Sequence, residues 1–235
     1  TGTHPDGWET RRKSEWCLFQ TGYFGWGLKN GGAYPKGFDE YCIISDISGG
    51  TPGKTGKVSR GGVEVQTYTS SAKKTYVLYD QTKGNWKDTN WGTSGHTIEE
   101  WGCPGASGAT ILTAMGYPNM TPDKLKTMYN EGVSNVMRKY VKYTKPYECG
   151  RLPNTTNAKN DIINWLKTGN PVHFHVIGPN GGGSNKFAYT EHWMALLDVN
   201  ERNVYLAPGA GGKPGWYSID EVTKSLCCYA KVSKK

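Results

Sequence analysis

The sequence lacks any apolar run near the roughly 20 residues that are needed to cross a bilayer. It also lacks a signal-like apolar segment at Thr1, and it does not begin with methionine. These absences predict a chain with no membrane span that is a processed product or an excised piece. With 235 residues, the chain is long enough to bury a core as one domain with an extension or a small partner.

No two cysteines have the C-x-x-C spacing, which argues against a zinc ribbon. The six cysteines are Cys17, Cys42, Cys103, Cys149, Cys227 and Cys228. Disulfides between Cys17 and Cys42, and between Cys149 and Cys227 or Cys228, are compatible with the sequence, and so is a fully reduced set. The redox compartment therefore stays open. Because side chains alternate along a strand, we expect Cys227 and Cys228 to point to opposite faces.

Phenylalanine is scarce, with 5 residues, whereas glycine, with 32, and tyrosine, with 15, are abundant, as in a loop-rich protein. The net charge of +8 favours anionic surroundings such as nucleic acid, anionic lipid or cell-wall polymers. The basic residues are scattered, and no nucleic-acid motif is visible. We therefore predict no nucleic-acid partner and keep anionic wall polymers as partners.

The segment from Gln81 to Met115 contains the pattern with the clearest chemistry. Cys103 precedes Pro104 and a run of small and apolar residues, and proline suits the first turn of a helix. The sequence thus predicts Cys103 at a helix N-terminus, where the macrodipole favours an anion and lowers the pKa of a thiol. Such a cysteine is a candidate nucleophile; the alternative is a buried structural thiol.

Two further residues fit a cysteine enzyme. Gln81 follows the strand-like segment 76–79, and His192 precedes the strand-like segment 193–197. A thiol nucleophile needs a base for its proton and donors for the oxyanion of the tetrahedral intermediate. His192 is the candidate base, and the Gln81 amide and the Cys103 N–H are the candidate donors.

The order and spacing of several short motifs resemble a known family over about residues 76–226. The motifs are Gln81, Trp86, Gly92, Thr97-Ile98, Gly102-Cys103, Ser107, Met115, Gly169-Asn170-Pro171-Val172, His192-Trp193, Asn203-Val204-Tyr205 and Gly215-Trp216-Tyr217-Ser218. Together they resemble bacterial papain-fold cysteine peptidases related to the bacteriocin-leader (double-glycine) peptidases. The resemblance implies that Cys103 is the nucleophile, His192 the base and Gln81 an oxyanion donor.

The chain departs from that family at two points. The family has Cys-Gly-Pro where this chain has Cys103-Pro104-Gly105. The family also ends the strand after the histidine with Asp or Asn before Pro, to orient the imidazole, whereas Ala207 stands there. We therefore expect Asn200 or Asp198 to orient His192, a Cys–His dyad, or a degenerate module without activity.

The order of elements predicts an α+β fold of papain-like type, with N-terminal helices packed on an antiparallel sheet. Residues 1–75 are expected to form a β-rich extension or accessory module, and residues 76–235 the peptidase domain. Helices are predicted at Cys103, from Thr121 to Gly132 and from about Asn157 to Lys167; strands are predicted from Val172 onward.

His173 and His175 share one face of a predicted strand, as two metal ligands would, but no third ligand has a recognisable spacing. We therefore predict neither a metal nor another cofactor. The Gly-rich stretch from Gly178 to Asn185 is predicted to be a flap over the substrate or a long hairpin loop.

The sequence thus predicts a thiol hydrolase that cleaves an amide bond, with peptidoglycan peptides as substrate and a bacterial or phage origin. It would be secreted or associated with the cell wall. A protein-processing peptidase and a secreted effector with the same chemistry are alternatives. A third alternative is a binding module for wall polymers or glycans, for which the aromatic N-terminal part and Ala207 provide a basis.

Overall fold

The computed structural model of the chain describes residues 53–144 and 155–235. Residues 1–52 of the predicted β-rich extension and the cysteines Cys17, Cys42 and Cys149 lie outside the described residues. Cys103, Cys227 and Cys228 lie within the described residues, and the bridge considered between Cys149 and Cys227 or Cys228 stays a prediction.

A small antiparallel sheet begins the described part of the chain. Its strands are β1 (Lys54–Arg60), β2 (Val63–Thr69) and β3 (Thr75–Val77). Gly61 and Gly62 connect β1 to β2 with φ angles of 55° and 76°, which glycine adopts without the penalty of a side chain. This sheet crosses the boundary predicted at residue 75, and the compact unit spans Gly53–Lys235. The division of the whole chain into domains stays a prediction.

Six α-helices and two short 3₁₀ turns are present in the described ranges. They are α1 (Ile98–Trp101), α2 (Cys103–Ala114), the 3₁₀ turn Pro122–Leu125, α3 (Met128–Glu131), α4 (Val133–Tyr140), α5 (Thr155–Lys167), the 3₁₀ turn Pro179–Gly181 and α6 (Ile219–Val222).

The single helix predicted from Thr121 to Gly132 was wrong, because a 3₁₀ turn and α3 replace it. Leu125 and Met128 are both buried and lie against Gly108 of α2. Side chains three residues apart line up in 3₁₀ geometry, so the turn directs both Pro122 and Leu125 into the core.

The larger sheet has six strands, and every pairing in it is antiparallel. The strands are β4 (Lys142–Tyr143), β5 (Val172–Ile177), β6 (Glu191–Asn200), β7 (Asn203–Ala207), β8 (Gly215–Ser218) and β9 (Leu226–Ser233). Their order is β4-β9-β5-β6-β7-β8. Helices followed by an antiparallel sheet confirm the predicted α+β class.

Helices cover both faces of this sheet. Helix α2 packs on β6 from one side, and α5 packs on β5, β6 and β9 from the other. Two groups of buried side chains result, one around α2 and one around α5. Burial of these side chains is the main stabilising contribution to the fold.

A buried carboxylate joins the two sheets. Asp198 of β6 accepts hydrogen bonds from the Tyr68 hydroxyl at 2.8 Å and from the Ser71 amide and hydroxyl at 2.7 and 2.6 Å. Burial, and then the Asp198 charge, raise the pKa of Tyr68 well above its usual range. The Tyr68 ring also stacks on Tyr205 at 3.5 Å between ring centroids. The small sheet is therefore fixed to β6 and β7.

Candidate active site

The backbone before α2 places Cys103 at the first position of the helix. A Cβ on Gly102 would lie 2.6 Å from the Ile98 carbonyl oxygen, so only glycine fits between α1 and α2. Pro104 occupies the first turn, as predicted. A Cβ on Gly105 would meet the Trp91 ring at 2.8 Å, which explains the glycine at this point of the Cys-Pro-Gly order.

The sulfur of Cys103 lies against the start of β6. The Trp193 backbone N–H points to the Cys103 Sγ, with 3.5 Å between nitrogen and sulfur. Gly209, in the loop after β7, lies close to both the Cys103 and the Trp193 carbonyl oxygens. The helix N-terminus, the start of β6 and the loop after β7 therefore meet at one point.

The predicted low pKa of the Cys103 thiol was wrong. Burial raises its pKa to about 12, and the Glu191 charge adds to the effect. The backbone N–H groups of Trp193 and of Cys103 itself lower it, but by less. Although Cys103 is half-buried as a residue, the loss of water around its sulfur outweighs the two backbone N–H groups and favours the neutral thiol.

A main-chain carbonyl orients the imidazole of His192. The ring Nε2 lies 2.5 Å from the Pro208 carbonyl oxygen, and the side chain is buried. A carbonyl only accepts, so Nε2 carries the proton and Nδ1 keeps its lone pair. Burial lowers the pKa of His192 despite this bond, so the ring is neutral and its Nδ1 can accept a proton.

The expectation that Asp198 or Asn200 orients His192 was wrong. Both residues belong to β6, and Asp198 lies six positions along the strand from His192, which is about 20 Å. Asp198 binds Tyr68 and Ser71 instead. The Pro208 carbonyl, directly after Ala207, provides the hydrogen bond that the expected side chain would have made.

Gln81 is held beside the same loop. Thr113 and Thr110 of α2 accept hydrogen bonds from the Val77 and Tyr79 amides at 3.0 Å each, which fixes the segment leading to Gln81. The Gln81 backbone N–H then donates to the Gly209 carbonyl at 2.8 Å.

The side chain of Gln81 is only partly engaged. Its Nε2 donates to the Glu99 carbonyl at 2.7 Å, which uses one of the two N–H bonds of the amide. Its Oε1 is buried and has no hydrogen-bond partner among the described residues. One amide N–H therefore stays available for an oxyanion.

The structure brings Cys103, Gln81 and the strand of His192 together through backbone contacts around Trp193, Pro208 and Gly209. It does not hydrogen-bond the Cys103 thiol to the His192 ring within the described ranges. Such bonds are often long before substrate is bound. The Trp193 amide and the Pro208 carbonyl were missed by sequence reasoning, because main-chain groups leave no residue-type signal.

Hydrogen bonds at both ring nitrogens of His173 hold the N-terminus of α2 in place. Its Nδ1 lies 3.0 Å from the Tyr143 hydroxyl, and its Nε2 lies 2.7 Å from the Ser107 hydroxyl, which donates to the Cys103 carbonyl at 2.7 Å. If His173 Nε2 carries the proton, each donor in this series of three hydrogen bonds meets an acceptor. Burial and the nearby His175 lower the pKa of His173 to about 3, so the ring stays neutral.

A cavity of about 180 Å³ adjoins the site. Its walls come from β2, from the segment around Asp80 and from the loop after β7, including Pro208 and Gly209. Asp80 is bonded to Thr82 and paired with Lys83 at 3.2 Å. These hydrogen bonds outweigh the effect of burial and lower the pKa of Asp80, so Asp80 is ionised beside Lys83.

The expectation that Cys227 and Cys228 face opposite ways was wrong. Their sulfur atoms and one ligand atom of His175 all lie within 4.8 Å of one another. His175 pairs with Cys228, whereas Val176 pairs with Leu226, so Cys227 is the extra residue of a β-bulge. A bulge interrupts the alternation of side chains along a strand.

No family model matches the sequence, and no curated protein matches it. Among solved structures, the chain is similar to a Bacillus anthracis protein that is provisionally assigned as a C39-like peptidase. The TM-score is 0.39 and the identity 13%, over 57% of this chain and 89% of the other. At this level the likeness assigns neither a family nor an activity to the chain.

Proposed function

We propose that the protein is a thiol hydrolase that cleaves an amide bond with Cys103 as nucleophile. The observation that carries the proposal is the position of the Cys103 sulfur. It lies at the first residue of α2, against the backbone amide of Trp193, the residue that follows His192 in β6.

The resting pair is neutral, so proton transfer accompanies attack. As Sγ bonds to the substrate carbonyl carbon, His192 Nδ1 takes the thiol proton and the Pro208 carbonyl stabilises the imidazolium through Nε2–H. The Cys103 N–H and the second Gln81 N–H are the proposed oxyanion donors.

Collapse of the tetrahedral intermediate breaks the carbon–nitrogen bond. His192 returns its proton to the leaving amine, and a thioester on Cys103 remains. His192 then takes a proton from water, which attacks the thioester and releases the acid and the thiol.

For the substrate we propose peptide bonds of peptidoglycan, with the protein secreted or wall-associated. The net charge of +8 supports this choice, because it favours an anionic wall. Protein processing and a secreted effector role use the same chemistry on another substrate, and the substrate panel below separates them.

A non-catalytic wall-binding module is the second candidate. The raised pKa of Cys103 and the missing hydrogen bond between its thiol and His192 favour it. In such a module, neither Cys103 nor His192 affects function.

The test measures release of new amino groups from purified walls and from unfolded proteins, with wild type, Cys103→Ala and His192→Ala. His96→Ala is the matched control, because this histidine is exposed and lies beside Glu100. We expect no activity in Cys103→Ala, a loss of about a hundredfold or more in His192→Ala and no change in the control.

Release from walls alone supports the proposed substrate, whereas release from unfolded proteins alone supports protein processing. Absence of release from both, together with wall binding that Cys103→Ala leaves unchanged, would establish the binding module instead.

A further inference from the structure

Three side chains of types that bind metals lie together in the interior, at the β-bulge where β9 pairs with β5. His175 is 5% exposed, Cys227 4% and Cys228 0%. One ligand atom from each lies within 4.8 Å of the other two. Thiolates and imidazole are the ligands that Zn²⁺ prefers.

The separations within the cluster are compatible with a tetrahedral site. Zn–S bonds of about 2.3 Å and Zn–N bonds of about 2.0 Å place ligand atoms about 3.5–3.8 Å apart. Small side-chain rotations close the remaining distance. The β-bulge makes the site possible, because a regular strand would send Cys227 away from Cys228.

The imidazole of His175 gives independent support for a ligand. Its Nδ1 is buried and has no hydrogen-bond partner in the described part of the chain. A buried polar atom without a partner lowers the free energy of unfolding by about 1–3 kcal/mol. Its presence here therefore needs an explanation, and a bound metal ion provides one.

The other ring nitrogen of His175 lies near a carboxylate. Its Nε2 lies 3.5 Å from the Glu191 carboxylate. Metal-binding histidines commonly donate their second N–H to a carboxylate, which fixes the ring and its tautomer. Nδ1 is then the nitrogen that coordinates.

We propose that His175 Nδ1 and the thiolates of Cys227 and Cys228 bind one Zn²⁺, with water at the fourth position. Binding releases the two thiol protons, and the resulting site is electrically neutral. The ion connects β5 to β9. His175 also stacks on Trp193 at 5.0 Å between ring centroids, so the ion fixes the neighbour of the Cys103 sulfur. The proposal is independent of the proposed activity.

Cobalt is the first probe, because thiolate ligands give Co²⁺ intense near-ultraviolet charge-transfer bands. The full chain carrying Cys103→Ser, kept reduced, is titrated with Co²⁺ and then with Zn²⁺. We expect one Co²⁺ per chain with thiolate bands, displaced by one Zn²⁺.

Ligand variants locate the ion. We expect Cys228→Ser and His175→Ala to weaken binding at least a hundredfold, and Glu191→Gln to weaken it about tenfold. His96→Ala, at an exposed histidine beside Glu100, is the control and should bind as before. Thiolate bands that persist in a Cys227→Ser/Cys228→Ser double variant would overturn the proposal, as would the absence of bands in the Cys103→Ser chain.

A second measurement uses only the wild-type chain, so it tests the proposal even if the ligand variants fail to fold. Alkylation of the wild-type chain is followed at each cysteine by mass spectrometry over long incubations, with and without Zn²⁺. We expect Zn²⁺ to slow labelling of Cys227 and Cys228 at least tenfold. Equal rates with and without Zn²⁺ would also overturn the proposal.

Discussion

The two faces of the six-stranded sheet use the same strands and differ in chemistry. On the α5 face, β5 and β6 present large apolar side chains such as Phe174, Met194 and Leu196, all fully buried. On the α2 face, the neighbouring positions include His173, His175 and the small Ala195.

The difference shows how one sheet supports both stability and chemistry. Both faces bury large apolar side chains, Leu197 and Tyr205 among them on the α2 face, but small residues on the α2 face let the helix come close. Ala195 and Ala207 lie directly opposite each other, and Ala106 and Ala109 are buried in α2. The close approach brings Cys103 to the Trp193 amide.

The largest expected effect is on the α5 face. Phe174→Ala removes a fully buried ring and should lower the free energy of unfolding by about 3–5 kcal/mol, measured by urea denaturation. Tyr189→Ala is the control, because this ring is 78% exposed and its loss should change stability by less than about 0.5 kcal/mol. A small loss in Phe174→Ala would contradict the assignment of stability to this face.

The pH dependence of Cys103 alkylation is the second expected effect. Only the thiolate reacts, and with a pKa of about 12 its fraction rises tenfold per pH unit. Labelling should therefore rise about a hundredfold from pH 8 to pH 10, against about fourfold for an ordinary thiol of pKa about 8.5.

The sign of the linked stability follows from the same pKa. The folded chain holds the Cys103 proton more tightly than the unfolded chain. The associated stabilisation is present below the unfolded pKa and is lost as the pH rises toward the folded one. Labelling that reaches a plateau below pH 8 would contradict the neutral resting thiol.

The third prediction concerns the hydrogen bonds that join Tyr143, His173 and Ser107 on the α2 face. His173→Leu leaves the Tyr143 hydroxyl without its acceptor and Ser107 without its donor, so we expect a loss of about 2 kcal/mol. Tyr143→Phe, which removes one hydroxyl and keeps the ring, should cost about 1 kcal/mol. Cys103 alkylation should also change in His173→Leu, since Ser107 binds the Cys103 carbonyl. A stability loss without that change would limit His173 to packing.

The smallest effect is expected at Ala207. Since the Pro208 carbonyl already orients His192, Ala207→Asn should change amide hydrolysis by less than about threefold. The added volume opposite Ala195 should cost about 1 kcal/mol of stability. Ala207→Ser, with a smaller side chain, is the control. A gain of more than about tenfold in Ala207→Asn would show that the imidazole lacks an orienting group.

Local patterns predicted much of the fold. Pro104 predicted the start of α2, and β5, β6, β7 and β9 lie where the apolar segments indicated. The 3₁₀ turn Pro122–Leu125 was missed because the contact of Leu125 with α2 decides it, not the local propensity.

The candidate site was less predictable because long-range contacts complete it. Cys103, His192 and Gln81 carried side-chain signals, and their roles stay predictions. The partners of Cys103 and His192 are main-chain groups, and the bulge at Cys227 depends on the pairing of β5 with β9. The residue types at these positions therefore do not predict these long-range contacts.

The contact between Tyr68 and Asp198 also bears on how fast the chain folds. It joins residues 130 positions apart, and the contact of Cys103 with Trp193 joins residues 90 positions apart. Loop closure over such separations is entropically costly, and folds dominated by distant contacts form slowly, over milliseconds to seconds. Helix α2 can form early, but Cys103 gains its neighbours only when β6 and β7 dock. Refolding kinetics should therefore show helical signal before the Cys103 environment becomes native.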